Sequence, residues 1–358
     1  MRPALPTLPA LPSLPVRRRP LRRRPTDRRE ELPSLTGTPV EVVTDDGARL
    51  HVEVDEADRP ARTGAAPTVV LCHGYALSAD CWHFQRLALR GRHRLVLPEL
   101  RGHGRSSRGP DGPVSVARLA DDLGQVLDAV VPQGPVVLVG HSLGGMTVME
   151  LAARRPDLLP RIAAVALVAT SAGGLAAVDH GLPLLGHHLV HWAELALERA
   201  GGRYDVLERS RRVGADLEQR LVRHWSFAGP VAPELVRLSA RMMAQTPVDV
   251  IADLLPAFAT LDERAALAGL AGRPVLVVTA ERDLMTPAAH GREIAEALPE
   301  AEHVLVRGSG HLVMLEHPGV VTTRLERLLT RAADASGPPA AAHEVVVPLA
   351  RRGRRSRR

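Results

Sequence analysis

The sequence predicts an α/β fold, in which helices cover both faces of a mostly parallel central sheet and an inserted helical segment interrupts the strands. Short apolar runs alternate with helical patterns along most of the 358 residues. Strands that are apolar throughout are buried on both faces, which is typical of parallel sheets covered by helices. About ninety residues in the second half of the chain show helical patterns and no strand pattern, and they predict the insertion.

The individual strands are predicted from the apolar runs. Runs at 40–43 and 49–54 flank the turn sequence TDDGA and predict a hairpin. The continuous apolar runs, which predict buried strands, lie at 67–74, 94–100, 135–140, 163–170, 274–280 and 303–308. Amphipathic stretches predict the covering helices, and these stretches lie at 114–130, 143–155 and 318–333.

Changes in composition predict the domain organisation. The core comprises residues 34–171 and 264–335, and a helical cap at 172–263 separates its two parts. Residues 1–33 have proline at every third position from 3 to 15 and then arginine runs, so they predict a disordered tail. Residues 336–358 predict a second flexible basic tail, within which HEVVVPLA has an alternative interpretation as a short docked strand.

The positive charge is concentrated at the two ends of the chain. Residues 1–31 and residues 351–358 each carry a net charge of +6, and the whole chain is also +6, so the residues between them carry −6. A nucleic-acid-binding protein is expected to carry basic charge on its folded body. We therefore expect no specific nucleic-acid partner, and at most weak contact of the tails with anionic surfaces.

Cysteine usage and hydropathy predict the compartment. Cys72 and Cys81 are too few for a disulfide framework or a closed metal site, and they favour a reducing environment. No stretch approaches the roughly 20 apolar residues of a membrane span. The arginine runs near the amino terminus are not followed by the apolar segment of a secretory signal. The expected location is cytoplasmic, and no metal or organic cofactor is predicted.

The segment LVGHSLGGM, residues 138–146, places a serine where an apolar run changes into a helical pattern. Ser142 is surrounded by Gly140, Gly144 and Gly145, and glycine permits close backbone approach and positive φ. A strand, a sharp turn with serine at its tip and a following helix form a nucleophile elbow. The alternative is an ordinary glycine–serine loop, so the interpretation needs a base and an acid elsewhere in the chain.

A serine nucleophile requires a base to take its proton and an acid to orient that base. In a parallel sheet both groups are expected on loops after later strands, because the carboxyl ends of the strands converge. Asp283 follows the run at 274–280, and His311 follows the run at 303–308, which is the chain order expected for this architecture. The competing side chains are His141 and His317 for the base, and Glu281 and Asp179 for the acid.

Acyl transfer also needs hydrogen-bond donors for the oxyanion. One expected donor is the backbone N–H of Leu143, directly after the serine. The other is the backbone N–H of Tyr75 in HGYALS, after the run at 67–74. His73 is then expected to brace this loop rather than to take part in the chemistry.

Five segments resemble the α/β-hydrolase-fold family with a helical cap. They are LCHGYALSADCW, LPELRGHGRSS, LVGHSLGGM, VLVVTAERDLMTP and GSGHLVMLEHP, and they occur in the family's order between residues 67 and 335. The resemblance implies a triad of Ser142, His311 and Asp283, with an oxyanion hole formed by Tyr75 and Leu143. Serine at 142 argues against the haloalkane dehalogenase and epoxide hydrolase branches, which have aspartate there.

Two departures from the family pattern are Glu99, where aspartate is frequent, and Ala280, where glycine is frequent. The segment RGHGRSSRG at 101–109 has two interpretations, an anion site or a shaped loop, and the loop is favoured. Residues of the cap region that either line an acyl pocket or belong to the core are Trp192, Trp225, Phe227, Met242 and Met243.

These observations predict a serine hydrolase that cleaves esters of short to medium acyl chains through an acyl-enzyme, with a small ester-like molecule as its partner. Apolar walls discriminate weakly between chain lengths, at about 1–3 kcal/mol per methylene. Two alternatives with the same triad are a carbon–carbon bond hydrolase and a cofactor-free haloperoxidase or perhydrolase. A non-enzymatic alternative is a ligand-binding protein of the same fold.

Overall fold

A computed structural model describes residues 32–33, 35–58, 66–110, 112–179, 215–334 and 344–347. Within these residues nine strands form one sheet, in the order β1-β2-β4-β3-β5-β6-β7-β8-β9. The strands are β1 (Thr38–Val43), β2 (Arg49–Asp55), β3 (Thr68–Cys72), β4 (Leu95–Pro98), β5 (Val136–His141), β6 (Ile162–Val168), β7 (Val275–Ala280), β8 (Glu302–Val306) and β9 (Glu344–Val347).

The sheet is mostly parallel. The hairpin strands β1 and β2 pair antiparallel, and β2 is also antiparallel to β4. All the pairs from β4 through β3 to β9 are parallel. Every residue of β3, β4, β5 and β7 is buried, as their continuous apolar runs predict. The predicted fold class is therefore confirmed.

Helices cover both faces of the sheet and bury two apolar clusters. The described α-helices are α1 (His83–Leu89), α2 (Val116–Val130), α3 (Leu143–Arg154), α4 (Ala215–Ser226), α5 (Pro233–Gln245), α6 (Val248–Thr260), α7 (Ala288–Ala297), α8 (Val313–Glu316) and α9 (Pro318–Ala333). Leu138 of β5 packs in the cluster that contains α2 and α3 residues, whereas Val137 and Val139 pack in the cluster that contains α1 and α9 residues. This alternation places one core on each face of the sheet.

Part of the predicted cap, residues 180–214, lies outside the described residues. Helices α4, α5 and α6 account for most of the remainder of 172–263. The inserted segment begins and ends side by side, because Gly173 forms a β-bridge with Asp262 and the Glu263 N–H donates to the Ala172 carbonyl at 2.6 Å. The extent of the cap remains a prediction.

The prediction of a flexible carboxyl-terminal tail is corrected over four residues, where the alternative interpretation as a docked strand applies. Glu344–Val347 form β9, which pairs in parallel with β8 at the edge of the sheet, so this part of the predicted tail is a strand. Its apolar run Val345–Val347 gives it the pattern of the neighbouring strands. The rest of both predicted tails lies almost entirely outside the described residues. Within the part that is described, no helix has the length and apolarity needed to cross a membrane.

Candidate active site

Ser142 lies at the tip of a sharp turn between β5 and α3. Its backbone has φ 51° and ψ −117°, a combination that non-glycine residues rarely adopt. Hydrogen bonds hold it on both sides: its N–H donates to the Val168 carbonyl at 3.0 Å, and its carbonyl accepts from the Thr170 hydroxyl at 2.7 Å. The strand, strained turn and helix have the geometry expected of a nucleophile elbow.

The glycines around Ser142 allow α3 to begin against neighbouring backbone. A Cβ at Gly144 would lie 2.5 Å from the carbonyl oxygens of both Cys72 and His73 at the end of β3. A Cβ at Gly140 would lie 2.5 Å from the Gly144 carbonyl oxygen, and one at Gly145 would lie 2.7 Å from the Thr170 hydroxyl. These glycines are therefore required by close packing, which an ordinary loop does not explain.

His311 and Asp283 come together although 28 residues separate them in the chain. Nδ1 of His311 donates to Oδ2 of Asp283 at 2.8 Å. Oδ1 of the same carboxylate accepts the N–H groups of Met285 and Thr286, at 2.8 and 3.0 Å. The Thr286 hydroxyl donates to Oδ2 at 2.8 Å. With the proton on Nδ1, the other ring nitrogen of His311 has a lone pair that can accept a proton.

His141, the residue before Ser142, connects the His311–Asp283 pair to the turn that carries the serine. Nε2 of His141 donates to the His311 carbonyl at 3.1 Å, and the two imidazole centroids are 4.8 Å apart. His141 is fully buried, and burial together with the nearby His311 lowers its pKa well below the usual range. A neutral His141 has one N–H, and that N–H is used to hold the backbone of His311.

The loop after β3 packs directly against the serine. A Cβ at Gly74, the residue before Tyr75, would lie 2.6 Å from Nδ1 of His141 and 3.2 Å from the Cβ of Ser142. Leu143 is the first residue of α3, so its N–H has no acceptor within the helix. The two predicted oxyanion donors thus lie on the segments that flank Ser142.

His73 braces this loop. Its Nε2 accepts the N–H of Leu100 at 2.9 Å, and its Nδ1 is 2.8 Å from the Gly74 carbonyl oxygen. Glu99 extends towards the same place, with Oε2 at 3.4 Å from Nε2 of His73 and Oε1 accepting the N–H of Ala79 at 3.4 Å. Glutamate at position 99, which is longer than the aspartate frequent there in the family, thus contacts the loop that carries Tyr75.

The competing candidates occupy other positions. Glu281 accepts the Gly308 N–H at 2.8 Å. The His317 carbonyl accepts the N–H of Val320 at the start of α9. The carboxylate that contacts His311, at 2.8 Å, belongs to Asp283. Cys72 is packed inside β3, where burial raises the pKa of its thiol to about 12.

The arginines of the 101–109 loop are paired with carboxylates. Arg101 donates to Asp122 at 2.7 and 2.8 Å, and it also contacts Asp46. Arg105 pairs with Glu53. These ion pairs neutralise the positive charges of Arg101 and Arg105 within the protein. They therefore favour a shaped loop at 101–109 over an anion site.

The apolar candidates of the cap region are mostly core residues. Phe227 and Met242 are buried, 4% and 1% exposed, and belong to the same apolar cluster as β3 residues. Met243 packs against this cluster, and the Trp225 ring contacts His224. Trp192 lies outside the described residues.

Sequence reasoning missed two side chains of this site. Thr286 bonds the acid, and the signal for it is the D-x-x-T spacing, which is typical of a local turn closed by side-chain hydrogen bonds. The hydroxyl of Tyr75 bonds the carbonyl of Ile251, 176 residues away. No local pattern indicates that second contact.

Curated relatives of this chain include named hydrolases. A putative carbamate hydrolase RutD of Agrobacterium fabrum is 27% identical over 288 residues, which cover 78% of this chain and 98% of the relative. A pimeloyl-[acyl-carrier protein] methyl ester esterase of Aeromonas hydrophila is 27% identical over 265 residues, covering 72% and 93%.

Solved structures and the family comparison agree with the fold. An enol-lactonase from Burkholderia xenovorans superposes with a TM-score of 0.61 at 25% identity, over 81% of this chain and 100% of the lactonase. A thermophilic esterase from Thermogutta terrifontis shares the fold with a TM-score of 0.63 at 23% identity, over 83% and 99%. Residues 67–318, well over half of the chain, match the family described as alpha/beta hydrolase fold. The chain therefore belongs to the α/β-hydrolase fold family.

Proposed function

We propose that the protein is a serine hydrolase that cleaves carboxylic esters of short to medium acyl chains through an acyl-enzyme. The observation that carries this proposal is the 2.8 Å bond between His311 and Asp283, held beside the strained elbow of Ser142. A pure binding protein has no need of a histidine oriented by a buried carboxylate next to such a serine. The named esterase relatives support the same class of substrate.

In the proposed reaction the Ser142 hydroxyl attacks the ester carbonyl carbon while His311 takes the hydroxyl proton. Asp283 keeps the His311 proton on Nδ1 and stabilises the imidazolium that forms. The oxyanion accepts hydrogen bonds from the N–H groups of Leu143 and Tyr75. His311 then protonates the leaving alcohol, and a water molecule activated by the same histidine hydrolyses the acyl-enzyme.

The preference for short to medium chains rests on the cap. Within the inserted segment at 172–263 we expect apolar side chains, chiefly leucine with methionine, tryptophan and phenylalanine, to face the crevice rather than charged ones. Apolar contacts separate neighbouring chain lengths by only about 1–3 kcal/mol per methylene. We expect tolerance over several lengths and a decline for long chains that a covered crevice excludes.

Rates on p-nitrophenyl acetate, butyrate, octanoate and palmitate, together with labelling by a fluorophosphonate, test the proposal. Wild type is expected to turn over the shorter esters and to be labelled at Ser142. Ser142→Ala is expected to lose labelling and turnover, and Asp283→Asn to lose on the order of 10⁴ in kcat, as in serine proteases. Ser239→Ala is the matched control, because the hydroxyl of this buried serine donates to the Leu235 carbonyl within its own helix α5, at 2.9 Å.

Other outcomes identify the alternatives. A labelled serine with cleavage of a vinylogous diketone and no ester turnover would indicate a carbon–carbon bond hydrolase. Peroxide-dependent halogenation would indicate a haloperoxidase or perhydrolase. A folded protein without labelling or turnover would indicate a ligand-binding protein, and a rate maximum at palmitate would indicate a lipase.

A further inference from the structure

Tyr75 connects the loop after β3 to the cap-region helix α6. Its hydroxyl donates to the carbonyl of Ile251 at 2.7 Å. Its ring meets the ring of Phe258 edge-on, with centroids 5.1 Å apart and planes at 85°. Both partners belong to α6, so one side chain makes a polar and an aromatic contact with the same helix.

Helix α6 contains a proline close to the carbonyl that Tyr75 contacts. Pro256 lies inside the helix and has no N–H, so the helical hydrogen bond to the carbonyl of Ala252 is missing. Helical pairing is therefore incomplete in the turn that contains Ile251. The carbonyl of Ile251 itself is one residue earlier, and a backbone carbonyl has two lone pairs, so it can accept the Tyr75 hydroxyl in addition to a helical N–H.

Helix α6 is also fixed to the core by a second set of contacts, away from Tyr75. Arg108 donates to Oδ2 of Asp253 at 2.6 Å and lies 3.5 Å from Asp249. The same Asp253 oxygen accepts the N–H of Val114 at 3.3 Å. Val250 is fully buried and lies so near Gly102 that a Cβ there would be 2.5 Å from a Val250 methyl group. The helix is thus a fixed support against which the tyrosine can be held.

The position of the Tyr75 backbone matters because the preceding Gly74 lies so near the elbow that a Cβ there would be 3.2 Å from the Cβ of Ser142. Hydrogen bonds to a developing oxyanion depend on donor placement within a few tenths of an ångström. We propose that the Tyr75 hydroxyl is a positioning group, which holds the Tyr75 N–H in the oxyanion hole by anchoring the side chain to α6. Docking of α6 then sets how strongly the oxyanion is stabilised. The inference rests on the proposed function.

Tyr75→Phe tests the inference, because phenylalanine keeps the ring and the backbone N–H and removes only the hydroxyl. We expect kcat on p-nitrophenyl butyrate to fall about tenfold while KM stays within about twofold. The Ki of a trifluoromethyl ketone, whose adduct with Ser142 carries an oxyanion, is expected to rise by about the same factor. A merely structural tyrosine would lower the Tm and leave kcat and Ki unchanged.

Asp253→Asn loosens α6 from the opposite side and keeps the inference testable if the tyrosine variant does not fold. We expect it to lower kcat several-fold in wild type and to have little further effect in the Tyr75→Phe background, since both act through one contact. Faster amide exchange of residues 73–78 in each variant would support the same coupling. Additive losses in kcat would contradict it.

The two proposals fail in different ways. A wild-type protein without ester turnover and without labelling at Ser142 overturns the proposed function and this inference with it. An active wild type together with a Tyr75→Phe variant of unchanged kcat, Ki and amide exchange overturns the inference alone.

Discussion

At the scale of single residues, the environment of Asp283 decides how firmly the histidine is oriented. Two backbone N–H groups, the Thr286 hydroxyl and Nδ1 of His311 all donate to its two oxygens. Asp283 is 4% exposed, so competition from water is small. A carboxylate held on both oxygens cannot rotate away from His311. Among these four described donors, two are side chains, those of His311 and Thr286.

Thr286→Val replaces the hydroxyl by a methyl group of similar size. We expect kcat to fall about tenfold, because a hydrogen bond to a charged group contributes about 1.5–3 kcal/mol and part of it orients the base. Thr286→Ser is expected to restore most of the activity, since it restores the donor. Steady-state kinetics with the Tm measured in parallel check this. A valine variant with wild-type kcat would show that the backbone donors alone hold Asp283.

At the scale of elements, the turn from β5 to α3 depends on how closely α3 approaches the end of β3. Gly144 contacts the carbonyls of Cys72 and His73, and these belong to backbone that other strands hold in place. Backbone at this position cannot move aside as a flexible side chain can. The elbow is therefore a property of two packed elements rather than of the turn alone.

Gly144→Ala is expected to destabilise the protein by about 2 kcal/mol or more, because its Cβ would be forced against fixed carbonyl oxygens. Gly319→Ala is the matched control, since a Cβ at this helical position meets nothing within 4 Å. We expect the control to change stability by less than about 0.5 kcal/mol or to raise it slightly. Urea denaturation of both variants measures the difference, and equal stabilities would contradict the packing explanation.

At the scale of the whole molecule, a pair of carboxyl groups lies where the inserted segment rejoins the core. The side chain of Glu263, 8% exposed, lies near the carboxyl group of Glu150 of α3. Burial, and then the neighbouring carboxyl group of Glu150, raise the pKa of Glu263 to about 8. Arg154 also contacts Glu150, at 3.6 Å.

This pair predicts a pH dependence of stability. The folded pKa of Glu263 lies above the ordinary value of 4.5, so its contribution is fully present below about pH 4.5 and is lost as the pH rises through about 8. Glu263→Gln, which keeps a neutral hydrogen-bond donor at every pH, is expected to remove this loss. Thermal melts from pH 5 to 8.5 test it: the variant gains Tm relative to wild type as the pH rises. If the Tm of the two proteins changed in parallel with pH, Glu263 would be ionised in the folded protein over this range.

The sequence by itself determined the architecture and the set of chemical groups. Continuous apolar runs predict β3 to β8 because strands buried on both faces leave no polar alternation, and that fold class is confirmed. The glycines around Ser142, and the positions of Asp283 and His311 after β7 and β8, were visible as local patterns. Their catalytic roles remain predictions that the proposed variants test.

Only the tertiary structure decided which of these groups meet. The sequence left Asp283, Glu281 and Asp179 as competing acids, and the contact with His311 at 2.8 Å distinguishes Asp283. The bond from Tyr75 to Ile251 and the pairing of Glu263 with Glu150 had no signal in the sequence. The physical reason is that periodicity and turn chemistry report local burial and local backbone shape. Contacts between residues on different elements arise only when the elements pack.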